Sequence, residues 1–216
     1  MRPLEARWRH RCTRGRLLDA AEVLFATHGL SSTSVRMIVG AADANVAAIR
    51  FHFGSLEDLK RAVLLRRFEV LVSRRLAGLD AATADGSGPP GVGDLLAIWF
   101  APLLDMVASR DPGERAFPVI LARMLVDRAP EYRTLLAQEL APHLERFLDA
   151  LGQALPELAR SEVALRFELA IGAFGHALNR LRDPRTGLIP AGDIDTVARE
   201  VLEFCRAGLQ APPLNS

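Results

Sequence analysis

The sequence predicts an all-α chain in two parts: an N-terminal three-helix, helix-turn-helix domain joined by a long helix to a C-terminal helical domain. Three observations predict it. β-branched residues are scattered and rarely alternate with polar ones, so strand signals are nearly absent. Apolar residues recur at three- and four-residue spacing along most of the chain. One Gly/Pro-rich interruption, ATADGSGPPGVG at 82–93, divides those stretches.

The elements follow in order. Leu17, Leu18, Ala21, Leu24 and Phe25 mark one face of a helix that starts after Thr13 and stops at Gly29. Thr33 or Ser34 can cap a second helix, which turns Val35, Ile38 and Val39 inward. After Ala41–Ala44 comes NVAAIRFHF (45–53), a helix of two turns closed by Gly54. Ser55 with Asp58 approximates a capping box and opens a long helix through Leu59, Val63, Leu64, Phe68, Leu71, Val72 and Leu76. Past the interruption, helices are expected near 94–108, 115–127, 131–154, 161–182 and 193–209. Pro102, Pro118 and Pro142 fall inside three of them, which predicts kinks or breaks. In the last two, Val163, Phe167, Ala170, Ile171, Phe174, Leu178 and Leu181 form one stripe. Ile194, Val197, Val201, Leu202, Phe204 and Cys205 supply apolar faces on the other helix. Gly172, Ala173, Gly175 and Ala177 keep the first of the pair narrow, so another helix can come close.

Charge separates the halves. The chain of 216 residues carries a net +1, yet up to Asp80 there are 14 Lys and Arg against 8 Asp and Glu, and beyond it 13 against 18. A basic N-terminal half facing an acidic C-terminal half points to a polyanionic partner for the former. Two cysteines, Cys12 and Cys205, offer no disulfide framework and fit a reduced compartment. No apolar run reaches the roughly 18 residues of a membrane span. The Arg-rich start (Arg2, Arg7, Arg9, Arg11, Arg14, Arg16) is followed by a segment holding Asp19 and Glu22, unlike an export signal. A cytoplasmic, nucleoid-associated protein is expected.

Motifs of chemistry are absent. The literal G-x-G-x-x-G at Gly86, Gly88 and Gly91 follows no strand and contains two prolines, so it is read as a connection between domains. There is no H-E-x-x-H, no G-x-S-x-G, no phosphate loop and no Glu-x-x-His pair of a di-iron bundle. No enzyme, cofactor or metal is expected.

The two-turn helix is the informative segment. Alone in water it would not hold, so neighbours must hold it, and a helix-turn-helix whose second helix enters the major groove supplies the reason. Asp43 is one of the few residues besides glycine that suits the left-handed turn. Ile49 and Phe53 are the expected anchors. Asn45 can pair with adenine, Arg50 with guanine or phosphate, and Val46, Ala47 and Ala48 can meet thymine methyls. Arg36 can reach backbone or base, while Thr33, Ser34 and His52 are placed like phosphate contacts, with Phe51 beside them. Plainer readings stay open: Asn45 as a cap, Phe51 as core, His52 as packing.

The segment RGRLLDAAEVLFATHGLSSTSVRMIVGAADANVAAIRFHFGSLEDLKRAVL (14–64) resembles the N-terminal domain of TetR/AcrR-family transcriptional regulators. The markers are LLDAAEVLFATHG, TSVRMI and HFGSLEDL. The wording N-x-A-A-I-x-F-H-F-G-S is most similar to the PsrA-like branch, which includes a fatty-acid-responsive repressor. The resemblance implies a dimeric DNA-binding repressor, released by a small apolar or amphipathic effector in its C-terminal domain. Three positions depart from the family: Asp43 replaces the turn glycine, Arg50 a common tyrosine, and Leu56 a lysine that touches phosphate.

The expected organisation is therefore 1–55, basic arm and helix-turn-helix DNA-binding domain; 56–80, connecting helix; 81–93, Gly/Pro linker; 94–216, ligand-binding and dimerisation domain. Trp99, Phe100, Met106, Phe117, Met124, Phe147, Phe167 and Phe174 are available to line a cavity or to form plain core. Arg123, His143, His176 and Asn179 could add polar groups to it. Helices 161–182 and 193–209 are expected to make a homodimer, through Phe167, Ile171, Phe174, Leu178, Val197 and Val201. The alternative is an all-helical protein-interaction module with weakened or lost DNA binding.

Overall fold

The computed structural model describes residues 12–84, 88–126, 130–182 and 193–213, and the described residues hold helices and no strand. The basic arm with Arg2, Arg7, Arg9 and Arg11 lies outside them. The helices are α1 (Thr13–His28), α2 (Val35–Ala41), α3 (Val46–Phe53), α4 (Leu56–Ala84), α5 (Val92–Ala108), α6 (Pro112–Val126), α7 (Pro130–Ala154), α8 (Arg160–Arg182) and α9 (Ile194–Leu209). α5, α6 and α7 continue through Pro102, Pro118 and Pro142, so no helix is broken there. α4 runs on to Ala84, with the Thr83 hydroxyl turned onto the carbonyls of Leu79 and Asp80. The connection before Val92 is thus shorter than the expected 81–93.

The chain divides into two compact units: residues 1–69 with 106–120, and 70–105 with 121–216. Both helices flanking the Gly/Pro connection contribute to the second unit, so that connection joins helices of one body. The boundaries fall within α4, α5 and α6.

In the first unit Leu17, Leu18, Ala21 and Phe25 of α1 are buried along with Ile38 of α2, Ile49 of α3 and Leu59, Val63, Leu64 and Phe68 of α4. Phe68 meets Phe117 edge to face, ring centres 5.2 Å apart. Inside this apolar packing sits an ionic cluster. Glu22 of α1 is wholly buried and takes hydrogen bonds from Arg67 Nε at 2.7 Å and Arg67 Nη2 at 2.8 Å. Arg66 adds Nε to Glu22 at 3.2 Å and Nη1 to Asp19 at 2.9 Å. The start of α6 completes the cluster. Asp111 caps it by accepting from the backbone N–H of Gly113 and Glu114, Pro112 takes the first position, and Asp111 and Glu114 lie 3.8 and 3.9 Å from Arg67. A Cβ at Gly113 would come within 2.2 Å of Glu22 Oε2, so only glycine fits beside the pair.

In the second unit α8 lies along α9. The Cys205 thiol donates to the carbonyl of Ala170, and burial pushes its pKa up to about 11. Arg166 of α8 reaches the end of α9, donating to the carbonyls of Leu209 at 2.9 Å and Pro212 at 2.8 Å. It thereby gives a donor to the last carbonyl of α9, which has no partner within the helix, and to one beyond it.

Removing the charge of Glu22 should leave two guanidinium groups with too little negative charge among buried side chains. Glu22→Gln is expected to cost about 3 kcal/mol or more, read as a lower midpoint in urea denaturation at unchanged slope.

Candidate functional site

The turn between α2 and α3 is built from backbone upward. α2 begins at Ser34, whose Oγ accepts from Met37 N at 3.4 Å. It ends with Ala44 N donating back to Val39 O at 2.9 Å, the six-to-one bond of a left-handed helix stop. Asp43 supplies the residue such a stop needs: its φ is +48°, and among the described residues it is the non-glycine with positive φ. Arg16 of α1 holds the turn from the side, donating through Nε to the carbonyl of Ala42 at 3.0 Å and through Nη2 to that of Asp43 at 3.2 Å. Sequence reasoning missed this role, because the partners are main-chain oxygens and carry no residue signature.

α3 then starts at Asn45, whose Oδ1 accepts from Ala48 N at 2.9 Å. The capping reading of Asn45 is realised, and its amide N–H groups are left to donate outward. Ile49 is buried. Phe53 is half-buried beneath the Arg14 guanidinium, 5.2 Å from the ring centre. Gly54 ends the helix at φ +87°. The next helix opens with Asp58 N bonded to Ser55 Oγ at 3.1 Å, and the Ser55 hydroxyl donating to Asp58 Oδ2 at 2.6 Å.

What remains faces water. Val46, Ala47 and Arg50 are exposed, and Phe51 is 84 % exposed. Its core reading is therefore wrong: Phe51 stands on the opposite side from Ile49. His52 is half-buried, its ring edge-on to Phe51 at 4.9 Å. Ser34 and Arg36 at the start of α2 are exposed as well. Thr33 does not join them. It is 2 % exposed, and its hydroxyl donates to the carbonyl of Gly29 at 2.8 Å, so the expected phosphate contact by this side chain is corrected to a buried brace.

The second unit holds a cavity lined by apolar side chains, including Leu103, Leu121, Ile171 and Leu178, and by Arg75. Of the aromatic and Met candidates, Trp99, Phe100 and Phe174 line it. Met106 and Phe117 belong to the first unit. Met124 and Phe147 are buried core, Phe147 edge-on to Trp99 at 4.8 Å. Arg75 was not anticipated. It is 2 % exposed, its guanidinium lies 3.7 Å from the Trp99 ring centre, and Nε donates to the Trp99 carbonyl at 2.8 Å. Burial lowers its pKa to about 9, leaving it charged at neutral pH. Nη1 is 3.3 Å from Nε2 of buried His143. Burial and then the Arg75 charge push His143 down to about 4, so the imidazole is neutral and can accept from Arg75. Of the other polar candidates, Arg123 is part-exposed and His176 is exposed, while the side chain of Asn179 lies outside the described residues.

α8 and α9 correct the expected contact surface. Phe167, Phe174 and Leu178 are buried within the unit, and Ile171 lines the cavity. Val197 and Val201 are half-exposed. The open stripes carry residues that the periodicity did not single out: Leu165 is 55 % and Leu169 64 % exposed on α8, and Phe204 is 71 % exposed on α9. Of the small residues expected to admit a helix, Gly172 lies on that open side, with free space where a Cβ would stand, whereas Gly175 lines the cavity and Ala177 is buried.

Comparison with known proteins gives consistent matches. Residues 17–63 match the family model for bacterial regulatory proteins, tetR family, and residues 97–208 the one for the tetracyclin repressor-like C-terminal domain. The fold is similar to that of the fatty acid degradation regulator FadR from Bacillus halodurans, with a TM-score of 0.69 at 17 % identity over 94 % of this chain and 98 % of that one. It is similar to a TetR-like regulator from Rhodococcus sp. RHA1, with a TM-score of 0.65 at 18 % identity over 91 % and 95 %. SmeT, repressor of the Stenotrophomonas maltophilia multidrug efflux pump SmeDEF, gives 0.63 at 21 % identity over 94 % and 96 %. No curated protein matched the sequence. These matches carry the family and not the PsrA-like branch.

The turn sets a test of its own. With φ at +48°, Asp43→Gly is expected to stabilise the chain, and Asp43→Ala to destabilise it by about 1 kcal/mol. Chemical denaturation of the two variants beside the parent reads both signs.

Proposed function

Because this chain belongs to the tetR family of bacterial regulatory proteins, we propose that it is a ligand-released repressor that binds a palindromic operator as a homodimer. The observation that carries the reading is the two-sided character of α3. Ile49 and the caps at Asn45 and Gly54 fix it from within, while Val46, Ala47, Arg50 and Phe51 face outward. That is what a helix lying in a major groove requires. Arg50 and Arg36 are the groups for guanine or phosphate, Val46 and Ala47 for thymine methyls, and Asn45 and Ser34 keep N–H and O–H donors for the backbone. Asp43 takes the conformation that glycine would take, so its departure from the family leaves the turn intact. Leu56, first residue of α4, provides no cation, and Arg50 stands in for the missing lysine.

An eight-residue helix reads few base pairs, so two copies related by a two-fold axis double the read-out and make the operator palindromic. The partner surface is the open stripe of α8 and α9. Leu165, Leu169 and Phe204 are exposed apolar side chains, and covering them removes apolar area from water at about 25 cal/mol per Å². The effector enters the second unit and acts by favouring one conformation over another. α4 contributes to both units and is the element through which that preference reaches α3.

Selecting bound fragments from random duplexes and sequencing them should return a palindrome. Arg36→Ala and Arg50→Ala are each expected to weaken binding about tenfold or more, and affinity should fall steeply with salt. A chain that retains a protein partner but binds no duplex, even at low ionic strength, would establish the interaction-module reading instead. Leu169→Glu or Phe204→Glu should yield monomers in sedimentation at micromolar concentration while leaving helical content unchanged.

A further inference from the structure

We propose that the cavity of the second unit binds an amphiphilic monoanion, a carboxylate on an apolar body, with its head group on Arg75. The assignment deepens the effector-binding part of the function proposed above and rests on it.

The argument starts from a charge in an unusual place. Arg75 is 2 % exposed, and a buried guanidinium is ordinarily found against a carboxylate. None is present among the described residues: its hydrogen-bonding partners are the Trp99 carbonyl and His143, both neutral. Its Nε and Nη1 are engaged by these groups, and Nη2 has no bond to a described residue. Glu22 in the first unit shows the contrast, since there the buried charge is answered by two arginines. Arg75 also forms part of the wall of the cavity, whose other lining residues are apolar. Among the described residues Arg75 is the charged one in this otherwise apolar wall, and it sets the chemistry of the occupant: a negative head for the guanidinium, and hydrocarbon for the rest.

Neighbouring groups sharpen the choice. A neutral His143 accepting from Arg75 leaves the guanidinium as the donor toward the cavity. The Trp99 ring covers one face of the guanidinium, so the head group must approach along its edge, where a carboxylate accepts a charge-assisted hydrogen bond from Nη2. The cavity has a volume of about 40 Å³, room for roughly two or three water-sized groups. It accommodates a head group as it stands, and the apolar side chains around it, Leu103, Leu121 and Leu178 among them, are the surface for a tail.

Calorimetric titration of the full-length chain with octanoate, octan-1-ol and octylamine tests this without DNA. Octanoate is expected to bind at one per chain and about tenfold or more tighter than the alcohol, with the amine weakest. Arg75→Met should abolish the preference for octanoate over the alcohol, whereas Arg75→Lys should keep part of it. A purely structural Arg75 would weaken all three ligands alike. If Arg75→Met does not fold, the three ligands on the unaltered chain decide. Equal affinity for octanoate and octanol, no binding of octanoate, or an Arg75→Met variant that keeps the preference would each overturn the assignment. A chain that selects its operator but ignores octanoate overturns this inference alone. One that binds octanoate but no duplex leaves the head-group assignment standing and overturns the regulatory reading.

Discussion

A carboxylate withdrawn entirely from water is tolerable only when cations meet it with good geometry, because its desolvation alone costs several kcal/mol. Glu22 imposes that condition on the first unit. Its partners Arg66 and Arg67 fix the register of α4 against α1, and Gly113 brings the start of α6 to the same point because it has no side chain. α1, once placed, carries Arg14 over Phe53 and Arg16 onto the turn carbonyls. A two-turn helix too short to persist alone is thus held through α1 from an ion pair on that helix's buried side.

The two units handle buried charge in opposite ways. In the first, every arginine of the cluster is answered by acid, and the result is fixed geometry. In the second, Arg75 is kept charged beside aromatic and imidazole rings, with dispersion and a carbonyl in place of a counter-ion. Such an arrangement is poorly explained by stability alone, since an apolar side chain of similar length would avoid the desolvation.

Much of the fold could be read in advance because helices announce themselves locally. Apolar spacing set α1 and α5 to α9 to within a few residues, Ser34, Asn45 and Ser55 sit where capping chemistry puts them, and Asp43 has the positive φ that its residue type permits. Spacing shows that a face is apolar but not what covers it. α8 has apolar residues on more than one side, and the stripe with the larger side chains turned inward, leaving Leu165 and Leu169 outside. Met106 and Phe117 lie in the first unit because α5 and α6 are each shared between two bodies, a division with no sequence marker. The roles of Thr33, Arg16 and Arg75 leave no mark in the sequence because each bonds to backbone carbonyls. Those partners depend on tertiary placement alone.

The outward residues of α3 carry almost none of the energy that keeps α3 in place; that falls to Ile49, the two helix ends and the grip of α1. Val46, Ala47, Arg50 and Phe51 can consequently be exchanged over generations without passing through unfolded ancestors. Change at those four positions leaves the scaffold that presents them intact.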